Sequence, residues 1–192
     1  LGYVNSIALA IQKQYEKQGK RLDLRGFYSE LQPNPAVLNG VIVTDAAGKV
    51  VLGNVPVTPI SLADREHVMA HFNANTNQLL ISKPVLGRVN KKWSIIATRR
   101  ANHPDGSLDG VIAIALEPSY FSNFYRDLDL GARGVVALVG LDGIVRARLS
   151  NDSSEIGQDI SQSASFKRMA GTVTTAALAS ATYVSRSPVD DV

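Results

Sequence analysis

The stretch that decides the fold runs from Ala63 to Phe121, and its successive segments read ADREHVMAHF (63–72), LLISKPV (79–85), WSIIATRR (93–100), VIAIAL (111–116) and EPSYF (117–121). The first segment, and the residues from Glu117 to Leu128, space apolar side chains three and four positions apart, which predicts helices. The other three segments are rich in β-branched residues, which predicts strands at about 78–85, 92–101 and 108–116. We expect these elements to fold around a pocket.

Two predicted hairpins flank this stretch. The first joins GVIVT (40–44) to KVVLG (49–53) through the turn DAAG (45–48), and the second joins GVVALV (134–139) to IVRARL (144–149) through GLDG (140–143). Their similarity is a weak internal repeat and indicates a duplicated module. Because strands and helices do not alternate regularly, we predict an α+β fold with antiparallel sheets. The second copy continues through a helix at 165–169 and a strand at 181–186.

The N-terminal segment, residues 1 to about 18, carries apolar residues at helical spacing and polar residues between them, which predicts an amphipathic helix ending near Gly19. A shorter helical segment, 23–31, precedes Pro33 and Pro35. The chain begins without a methionine and ends within a strand-like pattern. We therefore expect a piece of a longer protein, with membrane segments in its flanks and a stalk helix at 1–36.

Composition excludes several functions. The chain is 45% hydrophobic and 19% charged, with a net charge of +3 and no basic stripe, so we expect no nucleic-acid partner. It has no cysteine, which removes thiol catalysis and cysteine-based metal sites. Neither a nucleophile elbow nor a phosphate-binding glycine motif occurs. We expect a non-enzyme with no cofactor and no metal.

Arg99 is the first candidate for contact with a ligand. In a strand it shares a face with Trp93, Ile95 and Ala97, which we expect to be the concave side, and its guanidinium suits a carboxylate or a phosphate. The alternative is a structural ion pair between Arg99 and an acidic residue, such as Asp64 or Asp109.

The helix that opens the stretch supplies further candidates. Arg65 and His67 are available to contact a ligand, and His67 and His71 lie four residues apart, a spacing that could hold a metal ion. A third metal ligand is not evident, so two solvated surface histidines are the simpler interpretation. Trp93 and Tyr120 are expected to wall the pocket, unless they are core residues.

The order of these segments resembles the double-Cache sensor domains, also called PDC or PAS-like, of bacterial transmembrane receptors. The resemblance is closest to those that precede diguanylate cyclases and histidine kinases. It rests on six short motifs. The first three are an Asp-Arg pair that opens a helix (64–65), a Ser-Lys-Pro-Val strand end (82–85) and a Trp-x-Ile strand that ends in Arg-Arg (93–100). The others are an Asp-Gly turn (105–106), a Gly-Val pair (110–111) and a Pro-Ser-Tyr-Phe helix start (118–121).

The resemblance implies a membrane-distal module at 37–130, which binds a small polar or anionic molecule, and a membrane-proximal module at 131–192, which we expect to be incomplete. It implies a periplasmic or extracellular location, a membrane tether through the flanks, and a signalling domain elsewhere in the parent protein. The Tyr, Arg, Trp-Tyr and Asp pattern of the amino-acid-binding branch is not found. Two alternatives stay open: a homodimer through the N-terminal helix, and a dimerisation or protein-interaction module without a small-molecule ligand.

Overall fold

The N-terminal helix begins the fold, as its periodicity predicts. In the computed structural model, which describes residues 2–73, 77–88, 91–123, 134–149 and 156–171, α1 spans Gly2–Gln18 and ends at Gly19, whose φ of +59° suits a helix end. A single 3₁₀ turn follows, and α2 then spans Leu24–Glu30, capped by the Asp23 side chain. The chain divides into two compact units, Leu1–Tyr120 and Phe121–Val192.

The first unit is built on a five-stranded antiparallel sheet, with the strand order β2-β1-β5-β4-β3. The predicted antiparallel α+β fold is therefore confirmed. The strands are β1 (Leu38–Asp45), β2 (Val50–Gly53), β3 (Leu80–Leu86), β4 (Trp93–Asn102) and β5 (Leu108–Leu116). The first hairpin and the three predicted strands all form within a few residues of the expected positions.

The sheet of the first unit is covered on both faces. The apolar side of α1, with Ile7, Ala8, Ile11 and Tyr15 buried, packs against β4 and β5. The opposite face carries α3 (Glu66–Met69) and the loops around it. Because both faces are covered, every residue of β4 from Ser94 to Ala101 is buried.

The helix expected at 63–72 is shorter than predicted. Arg65 has an extended backbone, with φ −82° and ψ 127°, so that α3 begins only at Glu66. After Met69 the chain continues in tighter turns, because the amides of His71 and Phe72 donate to carbonyls three residues back. The short helix places Arg65 at its N-terminal end, beside the loop that follows β3.

Gly110 is the glycine on which the sheet depends most clearly. It is the third residue of β5 and lies opposite Asp45, and a Cβ atom at this position would lie 2.1 Å from the carbonyl oxygen of Thr44. Only glycine allows the two strands to approach this closely.

The second unit contains a two-stranded sheet of β6 (Val136–Val139) and β7 (Val145–Leu149), followed by α5 (Ala164–Ala170). The second predicted hairpin and the helix at 165–169 are thus confirmed. Ser163 caps α5 by accepting from the amide of Phe166 at 3.1 Å. A short helix, α4 (Pro118–Asn123), joins the two units, whereas its predicted continuation to Leu128 and the strand at 181–186 lie outside the described residues.

Among the helices that the structure describes, none is long and apolar enough to cross a membrane.

Candidate functional site

A cavity of about 90 Å³ lies in the first unit, between the sheet and the loops that cover it. Its lining includes Gly40, Ala113 and Ala115, whose small side chains leave space above the middle of the sheet. Ile96 of β4 and Val85 of β3 add apolar surface. The other lining residues come from β1, from the segment between β2 and α3, from α3, and from the end of β3 and the turn after it: Asn39, Val41, Ile42, Asn54, Val55, Leu62, Arg65, His67, Leu86, Gly87 and Arg88.

Arg65 is one of two cations in the cavity lining, as far as the described residues show it. Its Nη2 donates to the carbonyl oxygen of Leu86 at 3.2 Å, which ties the start of α3 to the end of β3. No carboxylate lies within ion-pair distance of Arg65 in the part of the chain that the structure describes. An arginine that is held by one carbonyl and has no counter-charge keeps most of its donors for a ligand.

Arg88 is the other cation, and its charge is already matched. Its Nη1 and Nη2 each donate to one oxygen of Asp64 at 2.8 Å, and Nη1 also donates to the carbonyl of Ser61. The bond to Arg88 lowers the pKa of the Asp64 carboxyl to about 2, so the pair is ionised at neutral pH. The pair joins the loop before α3 to the loop after β3.

His67 lies beside Arg65 in the lining. Burial, and then the positive charge of Arg65, lower the pKa of His67 to about 4. The imidazole is therefore neutral at pH 7 and has one donor and one acceptor nitrogen. A neutral ring next to a guanidinium can complete the hydrogen bonds of an anion without adding charge.

β4 holds α3 in place through side chains on one face. The Thr98 hydroxyl donates to the carbonyl of His67 at 3.2 Å, and Arg100 donates to the carbonyl of His71. Because the only hydroxyl hydrogen of Thr98 is used there, its oxygen accepts from His71 Nε2 at 2.9 Å. His71 is fully buried, so the prediction that it is a solvated surface residue is wrong. Burial lowers its pKa to about 4.

Arg99 lies on the opposite face of β4, towards α1, and not in the cavity. Its guanidinium donates to Gln12 Oε1 at 2.8 Å, to Asn5 Oδ1 at 2.7 Å, and to the carbonyl and side-chain oxygens of Asn77 at 2.6 and 2.8 Å. The expected alternation along β4 is correct, but the cavity faces the other set of residues. Of the alternative partners, Asp64 pairs with Arg88, and Asp109 Oδ1 lies 3.6 Å from His103 Nε2.

The five predicted site residues therefore separate. Arg65 and His67 line the cavity, whereas Arg99 contacts α1. Trp93 opens β4 opposite Leu86 with 56% of its surface exposed, and Tyr120 lies in α4. Neither is part of the lining. Their roles in ligand binding stay predictions.

Sequence reasoning missed three polar residues of the lining, Asn39, Asn54 and Arg88. Asn39 Nδ2 donates to Glu117 at 2.8 Å, and Asn54 Oδ1 accepts from the amide of Val41 at 2.9 Å. Both are at strand ends or in loops, where periodicity gives no signal. Arg88 follows a Gly-containing turn after β3, and its position after a strand was the available signal.

The four-residue spacing of His67 and His71 does not produce a cluster of metal ligands among the described residues. Among the described residues, no group of three His, Cys, Asp or Glu side chains is close enough to hold a metal ion. His67 and His71 contact different surroundings, since one lines the cavity and the other bonds Thr98.

The chain is similar to known proteins in its fold. No protein-family model matches the chain, and no curated protein matches it. Its fold is similar to the extracellular domain of the putative histidine kinase rpHK1S-Z16, with 26% identity and a TM-score of 0.74 over 86% of this chain and 68% of that one.

Two other similar structures have lower identity and show the fold alone. An extracellular ligand binding receptor from Desulfohalobium retbaense is 17% identical, with a TM-score of 0.64 over 86% of this chain and 30% of that one. The ligand binding domain of the Pseudomonas aeruginosa chemoreceptor PctB, solved with L-Arg, is 13% identical, with a TM-score of 0.60 over 82% of this chain and 66% of that one.

Proposed function

We propose that this chain, which has the Cache-like fold of extracytoplasmic sensor domains, senses a small polar or anionic molecule in the cavity of its first unit. The extracytoplasmic location is confirmed by the comparisons, because the similar structures are extracellular domains of receptors. The parent protein is proposed to be a membrane-bound histidine kinase or diguanylate cyclase, tethered through segments outside this chain. No catalytic role is proposed for the chain itself.

This proposal rests mainly on Arg65, whose guanidinium lines the cavity and has no ion-pair partner among the described residues. Among the described residues two guanidinium groups line the cavity, and Asp64 forms an ion pair with that of Arg88 and not with that of Arg65. Arg65 is left with a single carbonyl contact, and the neutral ring of His67 lies beside it in the lining. A guanidinium in a partly apolar cavity binds an anion more strongly than it would in water, because the local dielectric constant is lower.

The connections of β4 support a route for the signal. Thr98 and Arg100 bond the carbonyls of the α3 segment on one face, and Arg99 between them bonds α1 on the other. A ligand that holds Arg65 and His67 changes the position of α3 only if it binds one arrangement better than another. We propose that β4 passes such a change to α1.

Thermal unfolding of the 192-residue chain with a panel of organic acids, amino acids, amines and sugars tests this function. We expect one anionic class to raise the melting temperature by several degrees at saturation. Arg65→Gln should lose that stabilisation. Arg25→Gln, on the exposed side of α2, is the matched control and should keep it. If no compound stabilises the wild-type chain, or if Arg65→Gln responds normally, the proposal is wrong.

One observation favours the alternative, a dimerisation or protein-interaction module. Leu86 and Trp93 are direct neighbours at one edge of the sheet and are 48% and 56% exposed. A dimer through α1 would have to use its polar side, since the apolar side packs on its own sheet. Light scattering of wild type and Trp93→Ser tests this alternative. A dimer that Trp93→Ser dissociates, in a chain that no compound stabilises, would replace the sensor proposal.

A further inference from the structure

We infer that the cavity selects a small carboxylate with a short apolar tail and no cationic group, and so discriminates against zwitterionic amino acids. This inference rests on the proposed function and adds the chemical class of its ligand. It depends on two observations, the distribution of acidic residues in the first unit and the size and polarity of the cavity.

The acidic residues of the first unit all lie at positions that the structure describes, and none of them lines the cavity. Most serve turns, caps or surface pairs. Asp23 caps α2, Asp45 and Asp105 accept from amides in turns, and Glu66 pairs with an exposed lysine. The full set is Glu16, Asp23, Glu30, Asp45, Asp64, Glu66, Asp105, Asp109 and Glu117.

Two of these carboxylates come near the lining without joining it. Asp64 accepts from Nη1 and Nη2 of Arg88, and Glu117 accepts from Nδ2 of Asn39, a lining residue. Among the described residues, the cavity lining therefore carries positive charge and no carboxylate. An ammonium group that entered it would lose its water beside two guanidinium groups and would gain no counter-charge.

The size of the cavity sets the length of the tail. A cavity of about 150 Å³ lined by apolar side chains holds benzene, which has six heavy atoms. By the same ratio, a space of about 90 Å³ holds roughly three or four heavy atoms, so it takes the tail alone, and the carboxylate lies at its edge beside the partly exposed Arg65. Ile96, Ala113 and Ala115 provide the apolar contact for such a tail, while Arg65 receives the carboxylate.

Four compounds of nearly equal shape separate these requirements: butanoate, L-2-aminobutanoate, butanamide and butan-1-amine. Isothermal titration of the 192-residue chain measures each dissociation constant. We expect butanoate to bind at least tenfold more tightly than each of the other three. Arg65→Gln should raise the dissociation constant of butanoate at least tenfold and bring it close to that of butanamide. Arg25→Gln should change neither dissociation constant.

The possible failures are distinguishable. If L-2-aminobutanoate or butan-1-amine binds as tightly as butanoate, the inference is overturned while a binding function stands. If none of the four binds and another class of anion stabilises the wild type but not Arg65→Gln, the inference is again overturned and the proposed function stands. If no compound of either panel binds, both are wrong.

Discussion

Replacing Arg99 should destabilise the fold without changing the response to a ligand. Arg99 is 6% exposed and connects β4 to α1 and to Asn77 through four hydrogen bonds. Arg99→Ala removes these bonds and leaves the buried side chain of Gln12 without one of its partners. The perturbation therefore acts on the packing of α1, not on the cavity.

The magnitude follows from the partners. A hydrogen bond from a charged group contributes about 1.5–3 kcal/mol, but the four bonds share one side chain and are not additive. Burial of the guanidinium works against them, and it lowers the pKa of Arg99. We expect a net loss of about 3 kcal/mol in the free energy of unfolding, which corresponds to a fall of roughly 10 °C in melting temperature for a chain of this size.

Urea denaturation followed by circular dichroism measures this loss, and Arg25→Ala on the surface of α2 is the control. A loss below about 1 kcal/mol would show that the contacts of Arg99 do not hold α1. If the Arg99→Ala protein folds normally but no longer binds a ligand whose binding also requires Arg65, then Arg99 contacts the ligand. That result would refute the placement of Arg99 on the α1 side of β4.

Two further predictions concern stability. Acidification should destabilise the chain between about pH 6.5 and pH 4, because the pKa values of His67 and His71 fall to about 4 in the folded state and the unfolded chain takes up these protons first. For buried His71 we expect the free energy of unfolding to fall by about 2 kcal/mol from pH 7 to pH 5, as measured by urea denaturation. The His71→Gln protein should lose less stability over the same range. An equal loss in both proteins would contradict this cause. Gly110→Ala should cost about 3 kcal/mol or more, because its Cβ would lie 2.1 Å from the Thr44 oxygen, whereas Gly2→Ala, with open space around it, should be nearly neutral in the same assay.

The elements of this fold could be predicted from local patterns. The amphipathic side of α1, the turn residues of both hairpins and the β-branched segments of β3 to β5 each point to one structure, and the structure agrees with them. The length of α3 could not be predicted, since Asp64 bonds Arg88, a residue 24 positions later, and Arg65 is extended. Such long-range contacts leave no trace in local periodicity.

The candidate site was predicted only in part, for a related reason. Alternation places Thr98 and Arg100 on one face of β4 and Arg99 on the other, but it does not say which face carries the cavity. When both faces of a strand are buried, hydrophobicity cannot distinguish them. Arg65 and His67 could be identified because they lie on the predicted helix at positions that its apolar spacing does not use. Their environment, including the pairing of Arg88 with Asp64, required the tertiary structure.

A crystal structure of the 192-residue chain with bound butanoate would test most directly whether the cavity of the first unit binds a carboxylate through Arg65. We expect the carboxylate within hydrogen-bond distance of the Arg65 guanidinium, with the tail over Ile96, Ala113 and Ala115. Butanoate bound beside Arg99 against α1, or in the second unit with the cavity empty, would contradict it.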